Sequence, residues 1–348
     1  MKTITIRHVA EEAGVSLQSV SRVVNNGPNV TEALRERVQA AIDRLGYVPN
    51  MAARRMGGSK SFLLVAFNDR EPTLEKWRAG RGSDWVAQML LGAMPRCERD
   101  GYHLLIELLD AHLDRPTQRV DAIISSLRPD GVILTPPHSH NVRILDRLEE
   151  LRVPFARLNA GAEDGRGFRV QMDEPAAAAA ATRHLLELGH RRIGFLAGSA
   201  DYVVSGQRLD GFKASMHAFG VAIGPGWIQA GEFSFESGLA AADALLALPD
   251  RPTAVIASSD EQSLAMLHRA RDAGIAIPAE LSLISFDDTP PISFSVPPLT
   301  AIRQPTAAMA ERATSLLIEG LGAVGDGTAA HVLPFELVIR GSTVPPRG

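Results

Sequence analysis

The chain has 348 residues, 45% of them hydrophobic and 22% charged, and its formal net charge is −4. This length exceeds what one small hydrophobic core supports, so we expect two or three domains. The single cysteine, Cys97, excludes an intrachain disulfide and fits a reducing compartment. The N-terminus lacks the apolar stretch of a secretory signal, and no apolar run reaches membrane-spanning length, so the sequence predicts a cytoplasmic protein.

The charge is distributed unevenly along the chain. Residues 1–60 carry nine Lys or Arg and five acidic side chains, a net of +4, whereas the remainder carries −8. Attraction to phosphates acts over a Debye length of about 10 Å at ordinary salt, so a local patch outweighs the total charge. A basic head on an acidic body therefore permits nucleic-acid binding by the head.

Three helices are predicted in the head. They span 5–13, 17–24 and about 32–45, with Thr5, Ser16 and Thr31 as candidate N-caps. Two helices joined by a turn that contains Gly14, with a third helix behind them, form a helix-turn-helix. The outer face of the second helix carries short polar side chains and one arginine, which suits contact with base edges and phosphates. The alternative is a small helical bundle without a partner.

A short segment follows the head. In the stretch PNMAARRMGGSK, Asn50 is a candidate N-cap for a helix over 51–56 that Gly57 ends. One and a half turns of helix are not stable alone in water. We expect this segment to fold only when it is docked, and the alternative is a flexible linker.

From residue 61 onward, apolar runs alternate with helical stretches. The runs cover 62–67, 102–108, 131–136, 153–158, 192–198, 253–258 and 281–288. The helical stretches cover 85–99, 114–127, 141–151, 175–188, 205–219, 236–248, 260–273 and 306–321. This α/β alternation predicts parallel sheets with helices on both faces, and the number of units indicates two sheets. Ligands of such folds bind at the carboxyl ends of the strands.

The head sequence TIRHVAEEAGVSLQSVSRVVNN, 5–26, resembles the head of lactose/galactose-repressor-type transcription regulators. Later landmarks agree with that family in order and spacing. They are HLLELGHRRIGFLAG at 184–198, RLDGF at 208–212, FSFESG at 233–238, SSDEQ at 258–262, LSLISFDD at 281–288 and PPLTAIRQP at 297–305. The resemblance covers essentially the whole chain.

The resemblance implies three parts. They are a helix-turn-helix DNA-binding domain at 1–48, a hinge helix and linker at 49–60, and an effector-binding and dimerisation core at 61–348. The core would resemble periplasmic sugar-binding proteins, with two doubly wound parallel-sheet lobes crossed by three strands of chain. The expected limits are 61–159 with 289–324 for lobe one, and 160–288 with 325–342 for lobe two. A homodimer of this build would read a near-palindromic operator on double-stranded DNA and hold a small effector between its lobes.

The resemblance also implies DNA contacts. Gln18 can pair with adenine and Arg22 with guanine, while Leu17 offers an apolar contact such as a thymine methyl. Met56 stands where the family usually has a leucine that wedges into the minor groove. His8 stands where an acid usually follows the threonine cap, which predicts a weaker capping box. The predicted DNA-binding set is Thr5, Ser16, Leu17, Gln18, Ser21, Arg22, Asn25, Asn50, Ala53 and Met56.

For the effector, the resemblance implies that Arg208 and Asp287 are the principal contacts, a donor fork and an acceptor pair for vicinal sugar hydroxyls. An aromatic at Phe233 would stack on the ligand. The predicted effector-binding set is Asn68, Trp85, Asn159, Arg208, Phe233, Asp260, Asp287 and Gln304. Arg157 and Phe235 are further candidates, because they lie at the ends of neighbouring predicted elements. Ser259 stands where the family often has asparagine. The alternative for each is a surface position or a structural ion pair.

The sequence contains no HExxH, GxSxG or Walker motif, so it predicts no enzymatic activity and no cofactor. His138 and His140 lack the acids or cysteines of a metal site and indicate a loop. We therefore predict a sugar- or glycoside-controlled repressor of a carbohydrate-utilisation operon. The alternatives are a non-sugar effector such as a nucleobase acting as co-repressor, and a sugar receptor or enzyme without DNA function. Because no heptad follows 331–342, we expect a dimer and not a tetramer.

Overall fold

A computed structural model describes residues 4–24, 27, 29–47, 60–79, 84–111, 116–161, 164–320 and 330–347. The predicted hinge helix and the positions Asn25, Asn50, Ala53 and Met56 lie outside these residues. The chain divides into two compact units, a head of residues 1–63 with 128–130 and a core formed by the remainder. Each unit is described by itself.

The described part of the head contains three helices, as predicted. They are α1 (Ile6–Ala13), α2 (Leu17–Val24) and α3 (Glu32–Leu45). Gly14 ends α1 with φ 62° and Gly46 ends α3 with φ 60°, the left-handed conformation that glycine adopts without a steric penalty. One apolar side chain from each helix, Val9, Val20 and Val38, is fully buried in the shared core.

Side chains satisfy the first backbone groups of α1 and α2. The Nδ1 atom of His8 accepts a hydrogen bond from the backbone N–H of Thr5 at 3.0 Å. A capping box is therefore present, with an imidazole nitrogen in the acceptor role of the usual acid, and its weaker strength stays a prediction. Ser16 caps α2 as predicted, since its Oγ accepts from the backbone N–H of Ser19 at 3.1 Å.

The core contains two six-stranded sheets. The strands of the first sheet are β1 (Leu63–Asp69), β2 (His103–Leu109), β3 (Gly131–Leu134), β4 (Phe155–Leu158), β5 (Phe168–Gln171) and β11 (Ala330–Val332). Their order is β11-β5-β4-β3-β1-β2, and the pairs β1–β3, β3–β4, β4–β5 and β5–β11 are parallel. This sheet and the helices packed on it are called lobe one.

The second sheet consists of β6 (Ile193–Leu196), β7 (Ile228–Gln229), β8 (Ala254–Ala257), β9 (Ser282–Asp287), β10 (Thr300–Arg303) and β12 (Glu336–Val338). Their order is β12-β10-β9-β8-β6-β7, parallel except for the antiparallel pair β10–β12. Successive residues Phe195 and Leu196 lie in different apolar clusters, so both faces of this sheet are covered. This sheet and its helices are called lobe two.

Ten α-helices lie in the described residues of the core. They are α4 (Arg70–Arg78), α5 (Asp84–Arg99), α6 (Pro116–Leu127), α7 (Val142–Glu150), α8 (Glu174–Glu187), α9 (Val203–Ala218), α10 (Phe235–Leu246), α11 (Asp260–Asp272), α12 (Pro290–Ser293) and α13 (Thr306–Glu319). A short 3-10 helix covers His138–His140. Helix α4 was not predicted, because its sequence REPTLEKWR has no apolar stripe. None of the described helices is long and apolar enough to cross a membrane.

The strand pairing corrects the expected lobe limits. Strands β5 and β11 belong to the first sheet, although the sequence assigned 160–288 and 325–342 to lobe two. Strand β10 belongs to the second sheet, although 289–324 was assigned to lobe one. These three strands have three or four residues each, and charged side chains interrupt β5 and β10, so none of them appeared as a continuous apolar run.

Two glycines allow close helix crossings. A Cβ atom on Gly92 of α5 would lie 1.8 Å from the backbone oxygen of Ala307 in α13. A Cβ atom on Gly211 of α9 would lie 2.2 Å from the backbone oxygen of Pro175 in α8. Both contacts are with backbone atoms, which cannot rotate away, so a larger residue must push the helices apart.

We predict that Gly92→Ala lowers the free energy of unfolding by about 1–3 kcal/mol, the usual cost of overpacking. The matched control is Gly206→Ala in α9, because a Cβ there meets no atom within 4 Å. That control should raise stability by up to about 1 kcal/mol through helix propensity. Urea unfolding checks both values. Equal stability of the two variants would show that the close crossing does not need glycine.

Candidate functional site

Helix α2 presents a polar outer face. Leu17, Gln18 and Arg22 are exposed, while Val20 and Val23 of the same helix are buried in the head. Residues three or four positions apart share a helix face, so Gln18 and Arg22 point the same way. This arrangement is what a recognition helix requires, with contact residues outside and an apolar anchor inside.

Other described residues of the predicted DNA-binding set differ in exposure. Ser21 on α2 is half-buried, and Thr5 is exposed at the start of α1. Arg7, which the sequence analysis did not single out, lines a shallow groove together with Leu17. The positive charge of Arg7 in the basic head could have indicated a DNA contact. Its position beside α2 could not be predicted, because it depends on how the helices pack.

Lobe two brings three predicted effector residues together at one edge. Asp260 begins α11 after β8, Asp287 ends β9, and Gln304 follows β10. Because β8, β9 and β10 are neighbours and parallel, their carboxyl ends meet at this edge. Gln304 Nε2 donates a hydrogen bond to Asp287 Oδ1. The backbone N–H of Asp260 donates to Asp287 Oδ2 at 3.3 Å.

Arg208 has a protein partner that the sequence analysis missed. Its Nε and Nη2 atoms donate to the two carboxylate oxygens of Glu174, at 2.7 and 3.3 Å, and both side chains are buried. Its Nη1 donates to the backbone oxygen of Ser258 at 2.7 Å. The guanidinium carbon lies 4.5 Å from the ring centroid of Phe286 and 6.0 Å from that of Phe233. Three N–H donor atoms of Arg208 are therefore bonded within the protein, and Glu174 neutralises the charge of the guanidinium.

Asp260 accepts three hydrogen bonds at this edge. Ser285 Oγ donates to its Oδ1 at 2.5 Å, and the backbone N–H and the hydroxyl of Thr289 both donate to its Oδ2 at 2.6 Å. Burial and the neighbouring Asp287 carboxylate raise the pKa of Asp260 to about 8, although these donors act in the opposite direction. Burial also raises the pKa of Asp287, against the charge of Arg208. The pair titrates as a unit.

Lobe one contributes two amide side chains, Asn68 and Asn159, to the predicted effector-binding set. Asn68 lies at the end of β1, where its Oδ1 accepts from Thr135 Oγ1 at 2.8 Å, and Asn159 follows β4. Within the described part of the chain, Asn68 Nδ2, Asn159 Oδ1 and Gln304 Oε1 are buried without a hydrogen-bond partner. Such atoms are rare in folded proteins, and each calls for a physical explanation. All three belong to the set predicted from the sequence.

The backbone is strained at three predicted effector positions. Asn159, Phe233 and Asp287 have φ values of 49°, 58° and 98°, although none is glycine. Left-handed conformations of non-glycine residues cluster at functional sites, where the surrounding structure must hold them. The ring of Phe233 occupies space beside Gly198, where a Cβ atom would lie 1.9 Å from the ring. Gly198, at the end of the RIGFLAG motif, is thus required for this ring position.

The structure does not bring the whole predicted set together. Among the described residues, Trp85 is partly buried near the start of α5 and has no hydrogen bond or ring contact with the other seven. Arg157 is buried, and its Nε and Nη1 donate to the Ser139 backbone oxygen at 2.6 Å and to Asp164 at 2.5 Å. Ser259 is the N-cap of α11 and donates through Oγ to the backbone oxygen of Phe233 at 3.2 Å.

Contacts between the lobes add residues that were not predicted. Tyr202 donates through its hydroxyl to Asp69 at 2.8 Å, and its ring meets that of Phe233 edge-on at 5.5 Å. Lys76 of α4 pairs with Glu261 of α11 at 2.7 Å. The two partners of each contact belong to different lobes, so the pairing could not be read from sequence spacing. Together the two contacts join the carboxyl edges of the two sheets.

We predict that Asp287→Asn flattens the pH dependence of stability. The folded chain holds a proton on the Asp260–Asp287 pair that the unfolded chain releases above about pH 4. The unfolding free energy should therefore fall as pH rises from that value through the pKa of about 8. Asparagine tolerates the positive φ and removes one of the two like charges, so the variant should be more stable than the parent near pH 8. Thermal unfolding between those pH values checks this, and parallel profiles for parent and variant would contradict it.

Comparison with known proteins supplies the family. A sequence model described as "Bacterial regulatory proteins, lacI family" matches residues 5–50. A model described as "Periplasmic binding protein-like domain" matches residues 182–343. The first match covers the helix-turn-helix, and the second covers much of lobe two and ends beyond β12.

Whole-chain similarities agree with these matches. The HTH-type transcriptional repressor CytR of Escherichia coli (strain K12) is 31% identical over 343 residues, covering 97% of this chain and 96% of its own. The solved CelR–cellobiose complex has 29% identity and a TM-score of 0.73, covering 97% of this chain and 99% of its own. A lac repressor dimer bound to operator and the anti-inducer ONPF has a TM-score of 0.79 over 99% of this chain and 100% of its own. Its identity is 24%, so it shows the fold alone. With its helix-turn-helix head and two-lobe core, the chain belongs to the lacI family of bacterial regulatory proteins.

Proposed function

We propose that this regulator represses a carbohydrate-utilisation operon and that a small sugar or glycoside in the cleft controls it. The observation that carries the proposal is the set of groups at the joined carboxyl edges of the two sheets, which comprises carboxylates, buried amide atoms without a hydrogen-bond partner and an aromatic ring. We infer that it acts in the cytoplasm, where bacterial DNA is found. Its curated relatives are transcription regulators, and we propose no catalytic role.

DNA binding is assigned to the head. Gln18, Ser21 and Arg22 would contact base edges and phosphates, and Leu17 a thymine methyl. Thr5 and Ser16 would add contacts at the starts of α1 and α2. The contribution of Asn25, Asn50, Ala53 and Met56 rests on the sequence resemblance. A sequence-specific complex of this type depends steeply on salt, because bound phosphates release counterions.

The chemistry of the cleft favours an uncharged polyol. Asp287 offers acceptors for hydroxyl groups, while Asn68 offers a donor and Phe233 an apolar ring. Because Glu174 already neutralises Arg208, an anionic ligand would find little free positive charge on this wall. The related CelR was solved with cellobiose. The alternative, a nucleobase acting as co-repressor, has less support.

We propose that the chain works as a homodimer. Phe294 and Val296 of lobe two are 82% and 88% exposed, and Leu91 and Met94 protrude from α5 of lobe one. Large apolar side chains so exposed suit burial against a second copy of the chain. A dimer of heads would read two half-sites, which accounts for a near-palindromic operator.

Control of DNA binding would pass through the lobes. An effector that binds two lobe arrangements with different affinity shifts their populations. We propose that in a dimer this shift changes operator affinity, with coupling of about 1–3 kcal/mol. The hinge helix that the sequence predicts lies outside the described residues.

We predict that Arg22→Ala weakens operator binding by about 1–3 kcal/mol, as for loss of one specific base contact. The matched control is Arg37→Ala, which removes the same charge from an exposed position on α3. Fluorescence anisotropy with a duplex selected from a random library checks both variants at one salt concentration. Equal losses in the two variants would mean that α2 contributes only charge and is not the recognition helix.

We predict that a neutral sugar raises the melting temperature and that Asp287→Ala abolishes the effect. A ligand at one hundred times its Kd stabilises the native state by about 2.7 kcal/mol. Thermal shift against a panel of monosaccharides, disaccharides, nucleosides and nucleobases checks this. The variant should keep operator binding. Stabilisation by nucleobases alone, or by a sugar equally in parent and variant, would contradict the proposal.

A further inference from the structure

Helix α4 begins directly after β1 and lies beside the cleft. Its residues Arg70–Arg78 follow Asp69, the last residue of β1 in lobe one. Both ends of this stretch contact lobe two, Asp69 through Tyr202 and Lys76 through Glu261. The segment 69–78 thus spans the two lobes, and we call it the strap.

The contact at the far end is an ion pair with a fixed acceptor. Lys76 Nζ lies 2.7 Å from Glu261 Oε1, and the two side chains are only 24% and 25% exposed. The other oxygen, Glu261 Oε2, accepts from the backbone N–H of Phe235 at 3.1 Å, which holds the carboxylate in place. Partial burial and a preset partner make this pair stronger than a fully exposed one.

The contact at the near end is a hydrogen bond to a carboxylate. Tyr202 donates to Asp69 at 2.8 Å, and its ring packs against Phe233 of the effector wall. Burial and the Asp69 carboxylate raise the pKa of Tyr202, so the hydroxyl remains a donor. A bond between a hydroxyl and an ionised acceptor is stronger than one between neutral groups.

Charge in the cleft also favours the closed strap. Burial raises the pKa of Asp287, and the positive charges of Arg208 and Lys76 oppose it. Lys76 adds a positive charge from lobe one at this edge. Separation of the lobes would remove Lys76 from Asp287 and leave the Glu261 carboxylate without its cation.

We propose that the strap holds the two lobes closed over the cleft in the absence of an effector, and that its two contacts set the balance between closed and open lobes. This proposal rests on the proposed function only in placing the effector in that cleft. Loss of either contact should move the ligand-free chain toward the open arrangement by about fivefold, and loss of both by more than tenfold.

Amide hydrogen exchange on the full-length, ligand-free protein tests the strap. We expect exchange to rise in Lys76→Met and Tyr202→Phe, and most in the double variant, at 138–140 and 201–205, where the lobes face each other through His140 and Asp201. Small-angle scattering should give a larger radius of gyration for the double variant. The control Lys213→Met removes an exposed lysine from α9 and should change neither measurement.

Three outcomes overturn the proposal. Unchanged exchange and scattering in the double variant would show that the contacts do not hold the lobes. Faster exchange confined to α4 would give Lys76 only a local role, and faster exchange throughout β3 and β4 would show general destabilisation. Operator affinity is measured in parallel. Open lobes with unchanged operator affinity would support the strap but contradict the coupling on which the proposed function depends.

Discussion

The buried ion pair between Arg208 and Glu174 organises the part of lobe two that carries the predicted effector residues. It ties α9 to the start of α8, and the third bond of Arg208 to Ser258 ties α9 to the end of β8. The guanidinium also lies against Phe286 and within reach of Phe233. Removing one member of a buried pair costs about 3–5 kcal/mol, because the other charge remains unpaired. The position of α9, and with it the Tyr202 contact to lobe one, depends on this pair.

Because that arginine is neutralised, the character of the cleft is set by carboxylates and amides. Asp260 and Asp287 are held close together by neighbouring parallel strands, which keeps a proton on the pair near neutral pH. In lobe one, Asn68 and Asn159 hold a buried donor and a buried acceptor without a hydrogen-bond partner. Such groups match hydroxyl groups better than anions, and we propose that lobe closure and ligand binding depend on the same charges.

Much of the fold could be predicted from the sequence, because long apolar runs such as TAVIAS and LSLISFDD are buried strands and Gly14 and Gly46 end helices. The short strands β5, β10 and β11 could not be predicted. Each has only three or four residues, and polar or charged side chains among them leave no hydrophobic periodicity to recognise. Helix α4 could not be predicted either, because its sequence has no apolar stripe. Of the predicted effector residues, Asp287 and Gln304 are joined by a hydrogen bond, and their role stays a prediction. Arg208 and Glu174 are 34 residues apart in the sequence, so only the tertiary structure shows that they form a pair.

We propose that effector binding and operator binding are thermodynamically linked through the lobes. Linkage is reciprocal, so an effector that changes operator affinity by some factor must have its own affinity changed by the operator by the same factor. Isothermal titration of the identified sugar, with and without saturating operator duplex, measures this directly. We expect a ratio of sugar Kd values between about 5 and 150 that equals the effect of the sugar on operator Kd. A sugar Kd that is the same with and without operator would contradict it.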